Sequence, residues 1–295
     1  MIYITGATGR LGKEVLKLLN NAVPLVRKPS GLENEKVTDF SHEELKKVLK
    51  NADVIIHLAG SMKFSDKKEL RASNVEVTKN IVDSLPKKAR IVFASSISVY
   101  GKNPKNPVNE NTPSKPDSEY ARSKLEAEKL VSKHDNHVIL RIGTMYGMGY
   151  GEYFRILKLI NQGKMAIIGN GKNRVSFVHV EDVAQTVKNS IKAKTGVYVI
   201  AGDSFPQKEI YEIAAKELKA EKPKRRIPTI IAHLLTWIYE KEASFRGKKL
   251  AMTTEHIKIL SSDRVFDCSK AKKELKFKPR DISDGIRSMV SKTKL

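Results

Sequence analysis

Three groups of residues have the types and spacing to do chemistry. The first is Gly6-Ala-Thr-Gly9-Arg-Leu-Gly12, which follows the β-rich run Ile2–Ile4 and precedes a helical stretch from Lys13 to Asn20. A strand that turns into a helix on glycines points its free N–H groups at an anion. Gly6 permits the bend, Gly9 lets the backbone approach a pyrophosphate, and Gly12 lets the helix pack on the strand. A glycine triplet alone is a weak sign, but one between an opening strand and a helix points to dinucleotide binding. The second group is Tyr120 and Lys124, four residues apart and so on one face of a helix. With nine Tyr in a Lys-rich chain, about one such pair arises by chance. The third is Ser95, Ser96 and Ser98, just past the apolar run Ala89–Ala94. In an open parallel sheet reactive groups sit beyond the carboxyl ends of strands, although serines also serve as plain strand exits. The Tyr–Lys pair opens a helix shortly after this exit, and that joint placement is the signal.

The elements that must position these residues read as an α/β fold, a Rossmann-type doubly wound parallel sheet. Ala22–Val26 is a second strand ending in Arg27-Lys28, where a dinucleotide fold usually carries the acid that accepts ribose hydroxyls. An arginine there pairs with a 2′-phosphate, which favours NADP over NAD. Val37 to Phe40 reads as a short strand. Its Asp39 either meets the adenine amino group or is a loop acid near the helix that Ser41 caps and that runs through Leu49. Asp53 to Gly60 has the continuous apolar character of a strand buried on both faces, and its end joins the cofactor cleft. A helix holds Asn74 to Thr78, and a Pro- and Asn-rich loop from Lys102 to Asp117 gives way at Ser118 to a helix over Glu119–Val131.

Composition narrows the function classes. The chain of 295 residues is 40% apolar, carries no solenoid-period repeat and reads as globular. Its longest apolar run, Ile227 to Tyr239, is too short to span a bilayer, and the chain opens in a strand rather than a charged leader, so a cytoplasmic protein is expected. The one cysteine, Cys268, leaves no internal disulfide or multi-cysteine metal site and is expected to be inert. A net charge of +22 invites polyanions, yet Lys and Arg alternate with Glu along Glu43–Lys50 and Glu209–Lys222, as on solvated helix faces. Nucleic acid is not expected as a partner. The dense basic cluster is Lys222-Pro-Lys-Arg-Arg226, beside Ile227–Tyr239. That pairing could rest on a membrane or face a hydrophobic substrate, but the expectation is a buried lobe helix without membrane contact. A Lys/Glu-rich surface is one signature of proteins from hot habitats.

TGATGRLG, the HLAG strand end at His57–Gly60, Asn74-Val with Thr78, SSISVYG, Tyr120-x-x-x-Lys124 and Leu140-Arg141 with Tyr146-Gly147 stand in one order along the chain. In this the chain resembles the extended short-chain dehydrogenase/reductases, in particular the NAD(P)-dependent sugar-nucleotide epimerase/dehydratase branch. The resemblance runs nearly end to end, through Gly169–Arg174, Phe177–Ala184 and Asp267–Pro279. It implies that Gly6, Thr8, Gly9, Arg10, Leu11 and Gly12, with Leu58, Ala59, Gly60 and Asn74, line the cofactor. It implies that Tyr120 is the general acid/base, that Lys124 binds the nicotinamide ribose, and that Ser96 hydrogen-bonds the reacting oxygen. A free tyrosine is only about 0.1% phenolate at pH 7, a handicap of about 4 kcal/mol. A nearby ammonium and the positive nicotinamide ring offset part of that.

Departures from the family pattern narrow the chemistry. Ile97-Ser98 stands where 4,6-dehydratases carry Asp-Glu, and no Cys–His pair serves a 3,5-epimerase. Hydride chemistry at one hydroxyl-bearing carbon remains, as a 4-epimerase or a 4-keto reductase of a nucleotide sugar. Ser96, Ser98 and Arg174 are the candidate substrate contacts. Thr144, Met148 and the spacing of Arg174 from His179 depart from many relatives, which leaves Arg174 between a nucleotide grip and a surface residue. Residues 1–149 read as the dinucleotide domain, 150–168 with 203–262 as a smaller, mostly helical substrate lobe, and 169–202 with 263–295 as returns to the first domain. The resemblance also implies a homodimer paired through helices that include Tyr120–Lys133. Two rivals stay open: a reductase of a hydrophobic alcohol or ketone, like the steroid dehydrogenases or dihydroflavonol reductases, and a non-catalytic NADP-sensing regulator.

Overall fold

The strands Ile2–Thr5 (β1), Ala22–Val26 (β2), Lys36–Val37 (β3), Val54–His57 (β4), Arg90–Ser96 (β5) and His137–Ile142 (β6) pair in parallel. The computed structural model describes residues 1–64, 66–102, 107–246, 254, 257 and 261–292. Successive residues of each central strand enter opposite cores. Ile4, Ile56, Val92 and Val138 pack to one side with Leu11 and Val15 of the helix Arg10–Leu18 (α1). Tyr3, Ile55, Ile91, Phe93 and Ile139 pack to the other with Leu45 of His42–Val48 (α2) and Ile81 of Val77–Ser84 (α4). Burial on both faces is why these strands read as unbroken apolar runs. A short helix, Lys67–Arg71 (α3), passes through a π-helical turn, Ala72–Glu76, into α4. The catalytic candidate helix spans Glu119–Val131 (α5), and the Ser118 side chain caps it by accepting from the Ala121 N–H.

After β6 come Thr144–Tyr146 (β7), Gly151–Asn161 (α6), Ala166–Ile168 (β8), Arg174–His179 (β9), Val180–Ser190 (α7) and Gly196–Ile200 (β10). Ser204–Pro206 (β11), Gln207–Glu217 (α8), Arg225–Ile227 (β12) and Thr229–Arg246 (α9) follow. β10 closes a seven-stranded sheet of order β10-β6-β5-β4-β1-β2-β3, while β11-β9-β7 and β12-β8 form small separate sheets. The order reverses between β1 and β4, and the carboxyl ends of those two strands flank the crevice where a parallel sheet takes its ligand. α7 packs on α1, and β10 takes its place in the large sheet. The C-terminal stretch divides. Ala271, Leu275 and Phe277 join the dinucleotide-side core, whereas Ile282, Ile286 and Met289 of the helix Ile282–Ser291 pack with Ile210 and Tyr211 of α8.

One expectation is overturned. The run Ile227–Tyr239 is helical from Thr229 but is not a buried lobe helix: Ala232 and Thr236 are buried, while Ile230, Leu234, Trp237 and Ile238 are exposed. An all-round apolar run reads as a core helix, but this one meets its neighbours through a single narrow stripe. The stretch expected to complete the substrate lobe lies partly outside the described residues, at 247–253, 255–256 and 258–260. Among the described residues no helix is long and apolar enough to cross a membrane.

Candidate active site

The β1–α1 turn is built so that only glycine fits at two of its positions. Gly6 has φ +71, and a Cβ there would stand 2.7 Å from the Ala59 nitrogen at the β4 exit. At Gly12 a Cβ would lie 2.2 Å from the Gly6 carbonyl oxygen. The turn therefore closes onto the neighbouring strand end while Gly9, the residue before α1, leaves the helix N-terminus open to an anion. A cleft of about 670 Å³ opens there, lined by Gly6, Ala7, Thr8, Ala59, Gly60 and Ser61 at one end and Arg27, Lys28, Ser30 and Phe40 at the other. This cradle and cleft fit a dinucleotide: glycine backbone for the pyrophosphate, two cations for the far ribose. The Arg27 guanidinium stands 5.9 Å from the Phe40 ring centroid. Asp39 does not line the cleft; its Oδ1 accepts from the Ser41 N–H at 2.7 Å, and Phe40 at φ 63 turns into the cleft in its place. Glu35 folds back onto Ser30, Gly31 and Leu32 instead of facing the cations.

Ser96, Tyr120 and Lys124 come together at the carboxyl edge of the sheet. Ser96 ends β5 and accepts from the Ser98 N–H at 3.2 Å, and its side chain stands near enough to Tyr120 to act on that residue's acidity. Burial raises the Tyr120 pKa, and the Ser96 contact offsets part of that rise. The Phe64 ring meets Tyr120 edge-on at 5.3 Å. Lys124 is buried, with Nζ 4.4 Å from the Phe93 ring centroid, and burial brings its pKa down to about 8 against the pull of Glu128. The sequence expectation that the ammonium favours the phenolate finds no support in the protein alone, where the group that lowers the Tyr120 pKa is Ser96.

Residues that sequence reasoning missed hold this trio in place. Glu128, one turn beyond Lys124, accepts from Ser95 Oγ at 2.5 Å and is gripped by Arg141 at 2.7 and 3.1 Å, so β5, β6 and α5 share one buried ion pair. His57 joins a second chain. The Ala59 N–H donates to Thr5 Oγ1, which meets His57 Nδ1 at 2.7 Å; His57 Nε2 meets Thr78 Oγ1 at 2.9 Å, and Thr78 donates to the Asn74 carbonyl. Thr78 spends its one proton on Asn74, so Nε2 must carry the imidazole proton and Nδ1 must accept from Thr5. Burial and the Lys124 charge keep this ring neutral, with its pKa pulled down to about 3. Spacing alone marks Glu128, four residues after Lys124, but no local pattern marks the His57 chain.

Several predicted contacts do other work. Asn74, in the π-turn, accepts from the Ser61 N–H at 2.7 Å and donates to Ser61 O and Ser123 Oγ, bracing the β4-exit loop against α5. Arg10 pairs with Glu152 at 2.8 Å and lies 4.5 Å from the Tyr150 ring centroid, which ties α1 to α6. Arg174 is exposed at the start of β9 and donates to the Ser204 carbonyl. The Ser98 hydroxyl is buried without a hydrogen-bond partner among the described residues. Cys268 is buried, gives its proton to the Ala201 carbonyl at 3.3 Å and has a pKa pushed up to about 12, which makes it inert.

Comparison with known proteins places this geometry. The chain is 26% identical to the N-acetyl-alpha-D-glucosaminyl-diphospho-ditrans,octacis-undecaprenol 4-epimerase of Escherichia coli O157:H7, over 72% of this chain and 68% of that protein. It is 26% identical to the UDP-glucose 4-epimerase of Vibrio cholerae over 97% of this chain and 93% of that one. The fold matches that of UDP-glucuronic acid 4-epimerase from Bacillus cereus in complex with NAD, with a TM-score of 0.73 at 22% identity over 98% and 97% of the two chains. Residues 2–201, from the first strand of the parallel sheet to its last, match a single family description, and the chain belongs to that NAD dependent epimerase/dehydratase family.

Proposed function

We propose that the protein is a 4-epimerase of a sugar carried on a diphosphate, working through Ser96, Tyr120 and Lys124. The observation that carries this reading is the placing of Tyr120 close to Ser96 and one helical turn before the buried Lys124, in a chain with a dinucleotide-sized cleft and with relatives named as 4-epimerases. Tyr120 takes the proton of the sugar 4-hydroxyl and returns it after the ring has turned over. Ser96, and Ser98 with its unpaired hydroxyl, hold the reacting oxygen. Lys124 holds the ribose and keeps positive charge at the site. When bound, the nicotinamide supplies the hydride acceptor and then the donor at one carbon. Gly6, Thr8, Gly9 and Gly12 would hold its pyrophosphate. Arg27, Lys28 and Ser30 line the far ribose end of the cleft, which supports NADP over NAD within a family named for NAD.

The relatives' names support two carriers, a nucleotide diphosphate and a polyprenyl diphosphate, and the nucleotide is the first to test. Pairing of two copies through α4 and α5 and a place in the cytoplasm belong to the same proposal. A 4-epimerase must keep its reduced cofactor while the keto sugar turns, so purified protein should release about one nicotinamide per chain on denaturation and interconvert UDP-glucose or UDP-N-acetylglucosamine with their 4-epimers without added cofactor. The cations at Arg27 and Lys28 also suit a reductase that exchanges NADPH. Protein that purifies free of nicotinamide and consumes NADPH against a 4-keto sugar would replace the epimerase reading with that one.

A further inference from the structure

Helix α9 is built the wrong way round for a helix that only supports a core. Its inward stripe is made of small residues, the buried Ala232 and Thr236, and Ala232 packs in a cluster with Ile168 and Ile257. Its large apolar residues face out: Ile230 is 81% and Trp237 52% exposed, with Ile231, Leu234, Leu235 and Ile238 beside them. Eighteen residues make a rod about 27 Å long, so this is a contiguous patch and not scattered surface leucines. Patches of that kind mark a binding face.

Charge says what the face binds. Between Glu221 and Arg226, just before the helix, stand four cations and one acid, and Lys222, Lys224, Arg225 and Arg226 are all exposed. At the other end Lys241 lies 5.8 Å from the Trp237 ring centroid. An apolar face bordered by cations suits anionic lipid, with the rings at the acyl boundary and the cations among headgroups. A second copy of this chain, at net charge +22, would bring like charge to the same place. The helix is not long and apolar enough to cross a membrane. We propose that α9 and the basic segment before it form a docking surface for an anionic bilayer, with the helix lying in the headgroup plane. This reverses the sequence expectation of no membrane contact.

Trp237 is the only tryptophan in the chain, so its fluorescence reports on α9 in the unmodified protein. With phosphatidylglycerol-containing vesicles its emission should shift to the blue and be quenched by lipids brominated on their acyl chains. Pure phosphatidylcholine vesicles should give neither response. Replacing Arg225 and Arg226 together by Ala should cut partitioning roughly 25-fold, at about fivefold per cation near an anionic surface. Leu234→Ser with Ile238→Ser should cut it by roughly tenfold or more through lost apolar burial. All four positions are exposed, and unchanged melting temperatures would show that both variants fold. Emission that no vesicle moves would overturn the proposal. So would a blue shift that depends on protein concentration without lipid and accompanies dimers in sedimentation, because a second copy would then cover the face. Equal binding to neutral vesicles, unaffected by the arginine changes, would overturn it too.

Discussion

As an acid/base Tyr120 would start at a disadvantage, since burial disfavours the phenolate and the Ser96 side chain recovers only part of the loss. On the proposed function, Tyr120→Phe keeps the ring against Phe64 but removes the exchangeable proton, so turnover should fall by about 10²–10⁴-fold while cofactor affinity holds. Steady-state rates beside a cofactor titration check this, and a variant that kept most of its activity would remove Tyr120 from the chemistry. Lys124 gives a pH signature. Its pKa in the fold is near 8, so the ammonium is lost as pH rises through 8, and kcat/KM should fall above that point. Stability runs the other way. Between pH 8 and 10.5 the unfolded chain holds a proton that the folded chain has released, so stability rises with pH across that window, and below it the buried ammonium is a cost. Lys124→Met should therefore lose the alkaline limb and most activity, yet unfold at higher denaturant than the parent at pH 7, by about 1–3 kcal/mol.

The elements meet at this site through buried polar chains more than through the glycine turn alone. Thr78 on α4 links His57 of β4 to the Asn74 carbonyl in the π-turn, and all three are buried. Thr78→Val keeps the shape but leaves the buried His57 Nε2–H without its acceptor, which should cost about 1–3 kcal/mol in denaturant unfolding. Thr78→Ser should restore most of it, and a valine variant as stable as the parent would show that the chain is not continuous. The sequence makes some of this legible and hides the rest for physical reasons. Glu119–Val131 with its Ser118 cap, and β4 and β5 as doubly buried strands, follow from capping chemistry and apolar runs, which are local. The π-turn has no local signature, because it exists to let Asn74 reach both Ser61 and Ser123, residues far apart in the chain. Arg174 shows a different limit: the sequence leaves it between a nucleotide grip and a surface residue, and its contact with the Ser204 carbonyl depends on the pairing of β9 with β11, which has no local sign. For α9 the apolar run gives a helix but not the side that is covered, since that depends on where β8 and β12 place the helix's first turn.

At the scale of the whole molecule, the cleft opens at the carboxyl ends of β1 and β4, and α6 is tied to α1 through contacts such as Arg10 with Glu152 and Tyr150. Arg10 and Glu152 are both partly exposed, so their pair contributes at most about 1 kcal/mol and does not by itself lock α6 to α1. A ligand in the cleft stabilises the folded chain by mass action whatever chemistry follows, which lets cofactor choice be read from unfolding. At one hundred times its dissociation constant a cofactor adds about 2.7 kcal/mol. At roughly 2–4 °C per kcal/mol for a chain somewhat smaller than this one, the melting temperature should rise by about 5–10 °C. Protein first stripped of bound nucleotide should reach that shift at a lower concentration of NADP than of NAD, because Arg27 and Lys28 stand at the far ribose end of the cleft. Arg27→Ala should remove about 1.5–3 kcal/mol of NADP affinity, a charge-assisted contact to a dianion, and leave NAD nearly unchanged. If NAD shifts the unmutated protein at the lower concentration, the cations at Arg27 and Lys28 are surface charge of a basic chain, and the cofactor is the one the family is named for.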